Sequence, residues 1–276
     1  MPLDILAEIL SNRLLAPDYN VVTFSAPQIA EQAAPGQFVM VRCADGLDPI
    51  LRRPFSIFEH VRDGSGRIIG LSILNKRVGI GTARLYELRA GDRLSVLGPL
   101  GKPFVPVTPP DEAWMVAGGV GLAPFATLAE ALAERGTPAT LFYGGRSARD
   151  IYDEHVFTRL GTQLVVTTED GTRGETGRVT LPLERQLAGR NPSVRLTLYA
   201  CGPTPMMRAV AAIGARAGCR VFVSLEPVMG CGMGGCYSCV VPVNHDGGHH
   251  FVRSCLEGPV FDAHALAWDA MSSGGH

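Results

Sequence analysis

The chain has 276 residues, 46% hydrophobic and 18% charged, and its 25 Lys and Arg nearly balance its 26 Asp and Glu for a net charge of −1. That length exceeds one typical domain, and the near-neutral balance with no basic block argues against nucleic acid or an anionic membrane as partner. Seven cysteines, and a start (MPLDILAEIL) with Asp4 and Glu8 where a secretory signal would be basic and then apolar, argue against a disulfide framework and for a reducing, cytoplasmic setting.

From residue 3 to about 107 the apolar runs are short and separated by turn signals: VVTFSAP, GQFVMVRC, RPFSIF, IIGLSILN and GDRLSVLGPLG. This pattern predicts a β-barrel or sandwich, with turns at Asp63-Gly64 and Gly91-Asp92 and one plausible helix, ARLYELRA, at 83–90. Pro103, Pro106, Pro109 and Pro110 then mark a domain boundary before Asp111. Beyond it apolar strands alternate with helical patterns. AWMVAGG precedes a helix at 123–135, ATLFYGG one near 149–160, QLVVTTED one at 179–189 and RLTLYACGP one at 205–217, before CRVFVSLE. Such alternation predicts a doubly wound parallel sheet. Residues 113–133 hold a single charge, Glu130, and are long enough to span a bilayer, but Gly118, Gly119, Gly121 and Pro124 divide them into strand, turn and helix. From about 227 a small cysteine-bearing module follows, its last dozen residues expected to be loosely held.

Four cysteines in that module, Cys231, Cys236, Cys239 and Cys255, are spaced C-x4-C-x2-C-x15-C. The first three follow the order of plant-type [2Fe–2S] ferredoxins, and Gly230, Gly232, Gly234 and Gly235 let the backbone fold closely around cluster sulfurs. The competing reading is tetrahedral zinc on Cys236, Cys239, Cys255 and either Cys231 or one of His249 and His250. The first strand of the α/β region runs into Gly118-Gly119-Val120-Gly121, a strand–turn–helix anion site that lacks the full G-x-G-x-x-G spacing. In the barrel, Arg52 and Arg53 are adjacent and need anionic partners or solvent. Arg53 can bind pyrophosphate, Phe55 can lie on a planar ring and Ser56 can reach its edge. Gly79-Ile80-Gly81-Thr82 offers a second phosphate cradle. Asp153, Glu154 and His155 read as a solvated helix start, and no Ser/His/Asp set or carboxylate pair is assigned a catalytic role. Arg146, Ser147 and Arg149 follow the second strand of the sheet, where basic and hydroxyl groups can recognise a 2′-phosphate.

Taken together, RPFS, GIGT, GPLG, GGVGLAP, CGP and the four cysteines resemble the ferredoxin–NAD(P) reductase superfamily. Within it the chain is most similar, over essentially its whole length, to the electron-transfer subunits of type B dihydroorotate dehydrogenase. The resemblance implies a FAD-binding β-barrel at 1–107, a doubly wound NAD-binding α/β domain at 108–226 and a [2Fe–2S] module at 227–276. Arg53, Pro54, Phe55 and Ser56 match the flavin motif, which often has Tyr where this chain has Phe55. Leu74, Asn75 and Lys76 fall on the strand along FAD, and Gly81 and Thr82 match the pair that holds its diphosphate. Gly119, Val120, Gly121, Cys201, Gly202 and Pro203 match nicotinamide-nucleotide positions, and Cys231, Cys236, Cys239 and Cys255 the cluster ligands. A buried inert thiol is the plain alternative for Cys201, as for Cys43 and Cys219. The resemblance further implies NAD(H) as exchangeable co-substrate and an FMN-bearing catalytic subunit as partner, in a heterotetramer. A reductase serving an oxygenase, or a zinc-stabilised interaction module, are the other readings the residues leave open.

Overall fold

The structure is a computed structural model that describes residues 1–43 and 49–271. Six strands close a barrel: β1 (Leu3–Ala16), β2 (Tyr19–Ser25), β3 (Phe38–Arg42), β4 (Arg53–Arg62), β5 (Ile68–Lys76) and β6 (Arg93–Leu100), in the order β1-β2-β5-β4-β3-β6. Period-two patterning drives the closure. In β1, Ala7 and Ile9 point inward between exposed Leu6, Glu8 and Leu10, and join Phe24, Val39, Val41, Ile57, Ile73 and Val96 in the barrel core. Two helices accompany the strands where one was expected. The first, α1 (Pro27–Ala30), is a single turn entered through Pro27, whose fixed φ suits that position. The second, α2 (Ile80–Glu87), begins three residues before the predicted start because Thr82 Oγ1 accepts from the N–H groups of Val78 and Gly79, both at 2.9 Å.

The second half is a sheet of β7 (Glu112–Gly118), β8 (Ala139–Gly145), β9 (Gln163–Thr168), β10 (Glu175–Thr176), β11 (Leu196–Cys201) and β12 (Arg220–Ser224), with helices α3 (Ala123–Glu134), α4 (Glu154–Thr158), α5 (Thr180–Ala188) and α6 (Thr204–Arg216). These strands are parallel, in the order β10-β9-β8-β7-β11-β12. The order reverses at β7, so the carboxyl ends of β7 and β11 flank the topological switch point where such sheets bind ligands. Residues 113–133 divide as their glycines imply, into β7, a 3₁₀ turn over Gly119–Leu122 and α3, and no described helix is long and apolar enough to cross a membrane. The helix expected near 149–160 is broken instead. A 3₁₀ turn over Ala148–Asp150 and the short α4 are separated by Ile151, Tyr152 and Asp153, the last in the left-handed region at φ 54°.

The remaining chain forms a hairpin, β13 (Val240–His245) and β14 (Gly248–Arg253), then α7 (Ser254–Glu257) and β15 (Val260–Asp262). Strand β15 pairs antiparallel with β12, so the cysteine-bearing segment supplies the seventh strand of the sheet. Barrel and sheet share one core: Tyr19, Phe58 and Leu74 from the barrel pack with Phe104 of the linker and with Phe125, Tyr143 and Tyr199.

Candidate functional site

A cavity of about 560 Å³ lies where barrel, sheet and cysteine loop meet. Its walls are Arg53, Pro54, Phe55 and Ser56 of β4, Leu74 and Lys76 of β5, Val120 and Ala123 after β7, the run Ser224–Gly230 after β12, and Ser238. This volume falls in the range that holds a drug-sized planar ligand. The pair Arg52–Arg53 splits between two jobs. Arg52 turns to the barrel, donating to both carboxylate oxygens of Asp4 at 2.9 Å and to Ser95 Oγ at 3.0 Å, so it needs no bound anion. Arg53 faces the cavity, its guanidinium held by the carbonyls of Leu51 (2.8 Å) and Arg52 (3.3 Å).

Asn75 does not reach the cavity. It is fully buried and donates to Asn20 Oδ1 at 2.8 Å and to the Thr82 carbonyl at 3.0 Å, tying β5 to the first turn of α2. Gly81 and Thr82 also lie off the cavity wall, in that first turn. A Cβ on Gly81 would stand 3.4 Å from the side chain of Cys43, which is buried beneath the cradle. Burial pushes the Cys43 thiol up to about 11, against the opposing pull of Arg53 and Arg84, so it is an inert neighbour of the cradle.

At the switch point two loops touch. A Cβ on Gly121 would lie 2.3 Å from the Cys201 carbonyl oxygen, so only glycine lets the turn after β7 lie on the end of β11. Gly119 holds φ at 56°, and a Cβ on Gly202, at φ 148°, would approach the Gly118 nitrogen to 3.0 Å. Gly119, Gly121, Cys201, Gly202 and Pro203 thus belong to these two touching loops, and Val120 alone of the predicted nucleotide set lines the cavity itself. Cys201 is buried with Sγ 4.0 Å from Glu226 Oε1, and burial first, then that carboxylate, push its thiol well up. Glu226 is a cavity residue that motif reading did not assign. Its signal was present, because an acid ending the apolar run CRVFVSLE sits at the carboxyl edge of the sheet.

The four predicted cluster thiols come together as two pairs. Cys231 Sγ accepts from Gly235 N at 3.2 Å and Met233 N at 3.4 Å, and Cys236 Sγ accepts from Cys231 N at 3.4 Å. Ser238 lies 3.2 Å from Cys236 Sγ, and with the neighbouring N–H groups it draws that thiol down to about 6. Cys239 and Cys255 are both buried, and burial first, then the neighbouring Cys239 thiol, pushes the Cys255 thiol up to about 12. A two-by-two array with N–H donors aimed at sulfur suits two bridged irons, and a Cβ on Gly230 would crowd Cys236 Sγ at 3.0 Å. Among the described residues no three His, Cys, Asp or Glu converge as a single-ion site. His249 and His250 lie exposed on β14, edge-on to Phe251 and His245 respectively.

Comparison with known proteins is specific at this point. Residues 226–267 match the iron–sulfur cluster binding domain of dihydroorotate dehydrogenase B, and residues 115–212 an oxidoreductase NAD-binding domain. The dihydroorotate dehydrogenase B (NAD(+)) electron transfer subunit of Desulforamulus reducens is 37% identical over 263 residues, 95% of this chain and 98% of that one. The chain belongs to the dihydroorotate dehydrogenase B electron-transfer subunit family. The homologous subunit of Geobacillus thermodenitrificans is also 37% identical, over 92% of this chain and 95% of its own. Among solved structures, a chain of the NADH-dependent reduced ferredoxin–NADP oxidoreductase superposes with a TM-score of 0.81 at 29% identity, covering 96% of this chain and 91% of that one. A ferredoxin reductase of carbazole 1,9a-dioxygenase, at TM-score 0.63 and 22% identity over 79% of this chain and 67% of its own, shares the fold. The cofactor complement of this electron-transfer subunit fold is FAD, a [2Fe–2S] cluster and NAD; neither zinc nor an oxygenase partner is supported.

Proposed function

We propose that this chain carries electrons from the FMN of a dihydroorotate-oxidising catalytic subunit to NAD+ in the cytoplasm, within a heterotetramer. The observation that carries this reading is the convergence of the β4 flavin motif, the glycine turn and the cysteine loop on one cavity, in a chain 37% identical to electron-transfer subunits along nearly its whole length. Flavin, when bound, supplies the exchange between hydride and single electrons that a nicotinamide and an iron–sulfur centre require of each other.

In this reading residues 1–107 hold FAD, 108–226 NAD and 227–276 the cluster. Arg53 meets the FAD diphosphate together with the first N–H groups of α2 at Gly81 and Thr82. Phe55 stacks without the hydroxyl that a Tyr would add, Ser56 bonds the ring edge, and Pro54, Leu74 and Lys76 shape the wall, with Asn75 holding α2 from behind. Gly119, Val120, Gly121, Cys201, Gly202 and Pro203 receive the nicotinamide nucleotide, with Cys201 kept protonated by burial beside Glu226. Cys231, Cys236, Cys239 and Cys255 ligate the cluster. Arg146 and Arg149 are exposed with no guanidinium partner among the described residues, while Ser147 Oγ accepts from Arg149 N at 3.3 Å. A 2′-phosphate site is therefore the second reading there, and comparing NADH with NADPH oxidation kinetics decides between them.

Anaerobic visible spectroscopy of the complex captured on this chain tests the proposal. Bleaching of flavin and cluster absorption by dihydroorotate, followed by NADH formation on adding NAD+, is expected. Bleaching by NADH with no response to dihydroorotate would assign the chain to a different partner.

A further inference from the structure

Among the described residues, the Ser238 hydroxyl contacts a loop cysteine from a position on the cavity wall. Ser238 lies between Cys236 and Cys239 and is part of the cavity wall with Met229 and Gly230. Its Oγ accepts the Gly230 N–H at 2.7 Å and lies 3.2 Å from Cys236 Sγ. A serine hydroxyl has one proton to donate. Gly230 supplies a donor to its oxygen and a ligating thiolate has no proton of its own, so a hydrogen bond across the 3.2 Å contact runs from the Ser238 hydroxyl to Cys236 Sγ. The polarity of the chain Gly230 N–H → Ser238 O–H → Cys236 S is thereby set by the backbone.

Resting on the electron-transfer reading above, we propose that Ser238 is a positioning residue that sets the reduction potential of the cluster from the flavin side. A hydrogen bond to a ligating sulfur withdraws negative charge and favours the reduced, more negative cluster, raising its potential. The Gly230 N–H polarises the hydroxyl and strengthens the second bond in the relay. Apart from the neighbouring thiols, the other donors to the loop sulfurs are the backbone N–H groups of Cys231, Met233 and Gly235, which side-chain substitution cannot remove. Ser238 is the side-chain hydroxyl among the described contacts to these sulfurs, and it stands on the wall facing the flavin cavity.

The test uses the full chain purified with its cofactors, as wild type and as Ser238→Thr, Ser238→Val and Ser238→Ala. Thr and Val are nearly isosteric and differ in the hydroxyl. Iron and acid-labile sulfide are measured first; their absence from wild type would overturn the cluster reading itself and is distinguishable from failure of the present inference. With stoichiometry intact, a redox titration followed by electron paramagnetic resonance is expected to give a lower cluster potential for Val and Ala, the wild-type value for Thr, and an unmoved flavin potential in all. Equal cluster potentials for Thr and Val would overturn the proposal. So would failure of both Val and Ala to retain iron, which would make Ser238 a folding residue instead.

Discussion

Arg13 of β1 donates two parallel hydrogen bonds to Asp153, Nη1 to Oδ1 at 2.8 Å and Nη2 to Oδ2 at 2.9 Å, across the junction of barrel and sheet. The Asp153 side chain is 2% exposed and that of Arg13 46%, so one end of the pair is dry and the other wet. Beside it Arg159 pairs with Glu59 of β4 at 2.6 Å, and Tyr19 Oη lies 3.1 Å from Asp150 Oδ1. These contacts hold α4 and the turn before it against the barrel.

Removing Arg13 leaves the buried Asp153 carboxylate with only the exposed His155 beside it among the described residues, Nδ1 3.8 Å from Oδ1. Arg13→Ala is expected to lower stability by about 2–3 kcal/mol, less than for a fully buried pair because Arg13 is half in water. The double variant Arg13→Met with Asp153→Asn should cost less than the sum of its parts in urea unfolding; strict additivity would show that the two side chains do not interact.

Arg53 and Arg52 separate by function. Arg53→Ala is expected to weaken FAD retention roughly 10- to 100-fold, the loss of one charge-assisted contact, with cluster iron unchanged. Arg52→Ala should leave FAD affinity near wild type and act on barrel stability through Asp4 and Ser95. Flavin content after gel filtration reads both, and equal loss in the two variants would contradict the division.

Arg253 clamps the cysteine loop. Its Nη1 donates to the Gly234 carbonyl at 2.7 Å, and its guanidinium lies 4.7 Å over the ring of Tyr237, which holds φ at 57°. Arg253→Gln is expected to release iron to a chelator roughly tenfold faster, with FAD still bound. An unchanged rate would mean that the loop keeps its shape without the clamp.

Acid stability should report Glu130 of α3, which meets His60 at 2.8 Å and Arg62 at 3.0 Å on β4. Burial raises its pKa, but the hydrogen bonds from His60 and Arg62 outweigh that, and the net shift is below the ordinary 4.5. A depressed folded-state value means that the unfolded chain takes up the proton first as pH falls. The stabilisation is therefore fully present above about 4.5 and lost as pH drops through the folded value. Glu130→Gln should be about 1 kcal/mol less stable than wild type near neutrality, and the gap should close in acid. A gap independent of pH would remove the charge from the explanation.

Much of this molecule is legible locally. The barrel strands, the break at Gly118–Gly121 and the cysteine spacing each depend on side chains within about ten residues, where period, backbone freedom and ligand spacing speak directly. Other features failed that reading for one reason. Asp153, beside Glu154 and His155, looks like a solvated helix start, but its partner stands 140 residues away and the helix begins after it. Asn75 lies on the strand along the cavity but faces the other way, because alternation along β5 turns it toward Asn20.

The sequence by itself determined the two-part architecture, the family and the chemical class of each ligand set, because these follow from local patterns that any fold must respect. Only the tertiary structure decided that Arg52 is spent on Asp4 and Ser95, that Glu226 and Ser238 stand on the cavity wall, and that β15 closes the sheet beside the cysteine loop. Those outcomes depend on strands brought together from distant parts of the chain, and burial and hydrogen bonding across such contacts have no signature in the order of residues.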